Sequence, residues 1–318
     1  MSNFWQKLEK PFTVLAPMDD VTDVSFREML TITARPDIFF TEFTNCDGIF
    51  YDKSGKVLEK LIFTTNQRPI VAQIWGTNPK TFEEAAKKIK ELGFDGIDIN
   101  MGCPVKDVVK HGGGSALIKT PQLAKELISA VKGYLPISVK TRLGFDKVIT
   151  DEWISFLLEQ KLDALIIHGR TQKQMSSGEA NWDEIGRAVT LKNKISPSTI
   201  IVGNGDIFNY SQALEKYKTF GVDGVMIGRG LFRNPYAFDK TESHANLAIQ
   251  ERINLAIRHT EIFNRFWENK KDFNILKKFY KTYISDFSGS KELRMELMQT
   301  KTITDVLAVL KYTSEKYS

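Results

Sequence analysis

Two cysteines stand in this chain of 318 residues, and only the second, Cys103, has a setting that suggests chemistry. It closes the segment Gly96-Ile-Asp-Ile-Asn-Met-Gly-Cys-Pro104, in which Asp98 and Asn100 share a face and a proline fixes the turn that follows. A thiol held this way could donate a proton, act as a nucleophile, or merely fill space. In Ile137-Ser-Val-Lys-Thr-Arg-Leu-Gly144, alternation puts Ser138, Lys140 and Arg142 on one side of an extended segment, with Val139, Thr141 and Leu143 on the other. An interior lysine is costly without an anionic partner or a task. Lys140 could form a Schiff base, offset negative charge on a reduced flavin, or pair with an acid such as Asp98. Ile166-Ile-His168-Gly-Arg170-Thr171 offers an imidazole and a guanidinium for a phosphate or an electron-rich ring, a satisfied core histidine being the alternative. Gln73, in Val71-Ala-Gln-Ile-Trp75, carries an amide suited to an imide. Gly203-Asn204-Gly205-Asp206 and Gly228-Arg229-Gly230 combine bare backbone N–H groups with a fixed cation, a pairing that favours phosphate over simple tight turns. The run His111-Gly-Gly-Gly-Ser115 cannot form regular helix and suits a mobile lid near the thiol.

These residues fall at the ends of a series of short apolar runs: Thr13–Met18, Ile38–Thr44, Ile70–Gly76, Gly96–Gly102, Ile137–Gly144, Ala164–Arg170, Thr199–Asp206 and Gly224–Gly230. Amphipathic stretches separate several of them: Pro79–Leu92, Pro121–Lys132, Asp151–Gln160, Trp182–Ala188 and Tyr210–Phe220, with Asn78 and Thr150 as N-cap candidates. Near-continuous apolar strands alternating with helices predict a parallel sheet covered on both faces. Eight such units predict a (β/α)8 TIM barrel, whose active site lies at the C-terminal strand ends and whose phosphate site follows the seventh and eighth strands. A dinucleotide fold would need Gly-x-Gly-x-x-Gly after the first strand, and Ala16-Pro17-Met18-Asp19-Asp20 has none. Beyond Pro235 the strand signal stops. Leu255, Ile257, Ile262, Phe263 and Phe266, then Leu276, Phe279, Tyr280, Tyr283 and Ile284, predict a small all-helical C-terminal domain. The expected division is residues 1–238 for the barrel and 239–318 for the helices, joined through the polar stretch Asp239–Asn246.

Composition sets the outer limits. With 42% hydrophobic and 26% charged residues and a mean hydropathy of -0.25, fibrous, collagenous and wholly disordered chains are excluded. No apolar run approaches the roughly 18 residues that span a bilayer, and the charged start Met1–Lys10 is not a signal peptide, so a cytoplasmic location is expected. Two cysteines make no disulfide scaffold. The net charge of +5 comes mostly from residues 240–318, which carry 14 Lys and Arg against 10 Asp and Glu; nucleic acid is a natural partner for that excess, and a solvated helical surface is the plainer reading.

Taken as a set, Ala16-Pro-Met-x-x-Val-Thr-Asp-x-x-Phe-Arg27, Gln73, Asn100-x-x-Cys103-Pro104 with Lys106 and the glycine run, and Val139-Lys140-x-Arg142-x-Gly144 form one ordered series. His168-x-Arg170-Thr171, Gly178-x-Ala180-x-Trp182, Asn204-Gly-Asp206 and Gly228-Arg-Gly230-x-x-x-Asn234-Pro235 complete it. The series closely resembles the tRNA-dihydrouridine synthases over about residues 13–238. The resemblance implies FMN across the barrel mouth, its ring held by Pro17, Met18, Asp19, Gln73 and Lys140 and its ribityl-phosphate side by His168, Asn204, Gly205, Asp206, Gly228 and Arg229. It implies NADPH, or NADH, as reductant, hydride passing from flavin N5 to uracil C6, and Cys103 protonating C5. Asn100, Arg142 and Arg170 are expected to meet the substrate. The implied partner is tRNA, bound with help from the helical region; a monomer is expected, with no membrane, metal or protein partner. Where the family often has an aromatic residue ahead of the Trp182 element, this chain has Met175-Ser176-Ser177. The rival enzyme readings are an FMN barrel acting on a free small molecule, such as a dihydroorotate dehydrogenase or an enoate reductase, and a lysine-dependent aldolase. Outside catalysis, the rival is a tRNA-binding or chaperoning protein that keeps the fold.

Overall fold

The computed structural model describes residues 3–241, 247–268 and 270–317. Nine parallel strands form its sheet: β1 (Phe12–Leu15), β2 (Phe39–Phe40), β3 (Thr44–Asn45), β4 (Ile70–Trp75), β5 (Gly96–Met101), β6 (Ile137–Arg142), β7 (Ala164–His168), β8 (Ile200–Asn204) and β9 (Gly224–Ile227). The order is β1-β9-β8-β7-β6-β5-β4-β2, with β3 beside β4. A parallel bridge between Val14 and Ile38, with Leu15 N donating to Ile38 O at 2.9 Å, joins the two ends and closes a (β/α)8 TIM barrel. The second expected run is two short strands, because Thr41 turns its hydroxyl onto Glu42 O and accepts Gln73 N–H, interrupting the ladder.

Helices α1 (Val24–Ile32), α2 (Cys46–Tyr51), α3 (Pro79–Glu91), α4 (Lys106–Lys110), α5 (Pro121–Val131), α6 (Thr150–Glu159), α7 (Trp182–Ile195) and α8 (Tyr210–Phe220) accompany the strands. Asn78 caps α3 by accepting Lys80 N–H, as its position predicts. Thr150 does not cap α6: it is the helix's first residue, Ile149 holds the cap position, and the buried Thr150 hydroxyl has no hydrogen-bond partner among the described residues. Alternation sorts the strand residues into two cores. Outward side chains such as Ile74, Ile99, Val139, Ile167 and Val225 meet the helices. Inward ones, including Phe12, Val14, Val71, Ile166, Val202 and Met226, fill the barrel together with Trp5 from an N-terminal 3-10 turn. A side chain at Gly224 would stand 2.4 Å from the Phe12 ring, so the aromatic plug needs that glycine.

Four further helices follow: α9 (Ile249–Trp267), α10 (Tyr280–Tyr283), α11 (Ser290–Gln299) and α12 (Ile303–Glu315). Of these, α9 packs on α1, with a 2.8 Å hydrogen bond from Trp267 Nε1 to Asp23 at the α1 cap; Phe279, in the 3-10 turn before α10, stacks on Phe26 at 5.0 Å, and the buried residues of the region are continuous with the outer barrel core. Of the expected linker Asp239–Asn246, residues 242–246 lie outside the described residues. No helix of the described residues is long and apolar enough to cross a membrane.

Candidate active site

The inward positions change from Val71 to Gln73 on β4, from Ile166 to His168 on β7 and from Val202 to Asn204 on β8, and β5 and β6 add Asp98, Asn100, Ser138 and Lys140; this polar end of the barrel makes the site. A cavity of about 160 Å³ opens there, lined by nine of the expected residues: Pro17, Met18, Lys140, His168, Asn204, Gly205, Asp206, Gly228 and Arg229. Lys140 Nζ donates to Asn204 Oδ1 at 3.1 Å, and Asn204 Nδ2 donates to Met226 O at 2.8 Å, so β6, β8 and β9 are tied at the cavity floor. Burial, then the charge of Arg142, lowers Lys140 to about 8, against the pull of Asp98 and Cys103. Burial and the cations Lys140, Arg142, Arg170 and Arg229 push His168 well below its usual value, which leaves it neutral. Its Nδ1 is buried with no hydrogen-bond partner among the described residues.

Asp206 closes the cavity's far side. Its carboxylate accepts from Arg170 at 2.5 Å, from Ala180 N at 2.8 Å and from Arg229 at 3.2 Å. Burial opposes its ionisation, yet those hydrogen bonds and charges hold it below the usual carboxylate range.

Cys103 follows β5 at the same mouth and is largely buried. Asn100 Oδ1 accepts the N–H of Cys103 at 2.8 Å and that of Gly102 at 3.1 Å, while Ser115 holds Cys103 O through both its hydroxyl and its N–H. Burial raises the thiol above its ordinary value, against the Val105 N–H and the Arg142 charge, so it is protonated at neutral pH. The glycine run is therefore not a free lid: Gly113, Gly114 and Ser115 are buried and clasp the thiol segment.

Gln73 and Asp19 stand apart from the cavity lining. Gln73 is fully covered, donating to Asp98 at 2.7 Å and accepting from Asn100 at 2.9 Å, and Asp19 is exposed and ion-paired with Lys60. Asp98 is buried, which pushes its carboxyl up to about 7 against hydrogen bonds from Ser138 and Gln73 and the charge of Lys140. Arg142 and Arg170 are both buried: Arg142 donates to Gly102 O, Thr171 O and Met175 O, and Arg170 donates to Ser177 O and Gly178 O as well as to Asp206. They fasten the loop 171–178 to the strand ends. Sequence reasoning missed Ile207, Phe208 and Met226 in the lining; strand alternation alone would have turned Met226 inward. It also missed Glu42, whose carboxyl is buried and accepts Asp20 N–H.

The sequence matches the family model described as dihydrouridine synthase (Dus) over residues 14–317, which takes in the C-terminal helices as well as the barrel. It is 42% identical over 313 residues to the protein named "Probable tRNA-dihydrouridine synthase" of Staphylococcus aureus strain COL, covering 97% of this chain and 94% of that one. It is 43% identical over 320 residues to "Probable tRNA-dihydrouridine synthase 2" of Bacillus subtilis strain 168, covering 99% and 98%. A crystal structure of TcOYE with pHBA superposes with a TM-score of 0.52 over 82% of this chain and 95% of that one; at 12% identity the likeness is one of fold. On its own sequence, over nearly its whole length, the chain belongs to the dihydrouridine synthase family.

Proposed function

We propose that this chain is a tRNA-dihydrouridine synthase that reduces the C5–C6 double bond of a uridine in tRNA, with FMN as bound cofactor and NADPH, or NADH, as reductant. The observation that carries the reading is a protonated thiol and a cationic, polar cavity sharing one barrel mouth in a chain of this family. The cavity fits the cofactor: the unpartnered His168 Nδ1, the Lys140 ammonium, Arg229 and the glycine-flanked backbone at 205 and 228 suit an anionic group and an electron-rich ring. Pro17, Met18, Lys140, His168, Asn204, Gly205, Asp206, Gly228 and Arg229 would hold it, with Asp19 at its margin and Gln73 one layer back, behind Asn100.

A bound flavin supplies the hydride that pyrimidine C6 receives. The remaining work falls to side chains of this chain. Cys103 keeps its proton on Sγ and would give it to C5 of the bound pyrimidine. Lys140 places a positive charge in the cavity lining, where it would offset negative charge on a bound cofactor. Arg142 and Arg170 fasten the loop 171–178 and so shape the entrance through which an extruded base must come, since a stacked uracil cannot reach the cavity. Asn100 fixes the turn that carries the thiol. The helical region from residue 239 onward grips the tRNA, and its lysines and arginines make that binding depend on salt. Action on a free small molecule would leave those helices without a task.

The decisive experiment maps dihydrouridine in tRNA from cells that lack this protein and then regain it. Loss and return at a defined position is the expected result; an unchanged map would overturn the proposal. Purified protein is expected to be yellow.

A further inference from the structure

Asp98 touches neither the cavity nor the thiol, yet a chain of side-chain amides connects it to Cys103. Its carboxylate accepts from Ser138 Oγ at 2.6 Å and from Gln73 Nε2 at 2.7 Å. Gln73 Oε1 then accepts from Asn100 Nδ2 at 2.9 Å, and Asn100 Oδ1 accepts the backbone N–H groups of Gly102 and Cys103. Every link runs one way. A backbone N–H can only donate, so Asn100 must offer its oxygen to the turn and its NH2 to Gln73. Gln73 must in turn offer its oxygen to Asn100, which leaves its NH2 in need of an acceptor in the sealed interior. Asp98, fully buried, is the acceptor at the end of the line.

We infer that Asp98 is a positioning residue for Cys103: its acceptor oxygen sets the direction of the Gln73 and Asn100 carboxamides, and through them the turn that aims the thiol. Either amide reversed would set N–H against N–H at the next link, leaving two buried donors unpaired. Nothing on the helix-facing side of the barrel can restore that order, because Gln73, Asp98 and Asn100 all point inward from β4 and β5, whose register sets Gln73 opposite Asp98. The charges that act on the Cys103 thiol are those of Arg142, Asp19 and Lys140, so position 98 reaches the thiol through this chain rather than by its own field. The inference rests on the proposed role of Cys103 as proton donor for its meaning in catalysis, but not for its test.

The test compares Asp98→Asn with Asp98→Leu by the rate at which iodoacetamide alkylates Cys103, read peptide by peptide, with the fully buried Cys46 as internal control. Asparagine keeps an acceptor oxygen for Gln73 while Ser138 reverses to accept from its NH2; leucine has similar bulk and no acceptor. The expected result is a Cys103 rate within about twofold of wild type for Asp98→Asn and changed about tenfold for Asp98→Leu. Equal change in both variants would mean that Asp98 acts by its charge, and no change in either would mean that it only fills space; each overturns the inference. Should Asp98→Leu fail to fold, Gln73→Met cuts the chain one link on and is expected to shift Cys103 in the same way; wild-type labelling there would overturn the inference equally. Dihydrouridine formation is measured alongside. Labelling that shifts while tRNA reduction does not would sink the proton-donor role and leave the positioning chain standing.

Discussion

Replacing Cys103 by alanine separates the two halves of the proposed reaction. The variant is expected to retain flavin and NADPH oxidation while dihydrouridine formation falls by about 100-fold or more, because only the protonation step loses its acid. A variant that still modified tRNA at the wild-type rate would move that proton elsewhere. Lys140 gives a second handle through pH. Its folded value of about 8 lies below the ordinary 10.5, so the ammonium is present below about 8 and turnover is expected to fall as pH rises through it. Stability runs the other way. Between about 8 and 10.5 the unfolded chain holds a proton that the folded chain has released, so this residue's contribution to stability rises with pH across that window. Lys140→Met is expected to remove about 1–2 kcal/mol of that rise. Urea unfolding of both proteins at the two ends of the window checks it; parallel pH slopes would show that the lysine is not perturbed.

Among the elements, the turn formed by the glycine run has one position that admits no side chain. Gly114 has a φ of +56°, and a Cβ there would lie 2.8 Å from Cys103 O. Gly114→Ala is expected to cost about 1–3 kcal/mol and to shift the thiol segment that Ser115 clasps. Thermal unfolding measures the first effect and alkylation of Cys103 the second; an unperturbed variant would mean that the turn yields easily. The clasp is also where a sequence reading fell short. Three glycines in a row announce that no regular helix forms, but they do not say whether the segment is loose or packed. Packing here depends on Val108 and Trp75, whose approach to Gly114 and Gly113 exists only once β4 and β5 lie side by side.

For the whole molecule, the lysines of the C-terminal region divide by what they bind. Lys271 pairs with Asp23, Lys278 donates to Asp20 O, and Lys277 donates to Met298 O and Thr300 O at the end of α11. Lys277 also borders, with Lys281 and Lys291, an open groove of about 520 Å³ that holds Met295 and Met298. Reversing Lys281 and Lys291 to glutamate is expected to weaken tRNA binding and to lower the slope of log affinity against log salt by about one for each phosphate left without its cation. An unchanged slope would put the RNA on another face. Because α9 and the turn that carries Phe279 pack against α1, Phe279→Ala is expected to cost about 3–5 kcal/mol and to lower one common melting transition. Two separated transitions in calorimetry would show that barrel and helices unfold as independent units.

Local stereochemistry is why so much was legible in the amino-acid order alone. A strand alternates its side chains every second residue, so Lys140, His168 and Asn204 were bound to share an interior once their segments were extended and parallel. The eightfold rhythm of apolar runs likewise carried the barrel. What the chain's order could not express is which group answers which across 25 to 40 residues or more. Arg142 answers the carbonyls of Thr171 and Met175, Arg170 answers the carboxylate of Asp206, and Gln73 lies sealed between Asp98 and Asn100. Those partnerships depend on ring closure and strand register, which no short stretch of sequence contains. Folding decided them because a buried donor without an acceptor is too costly to leave.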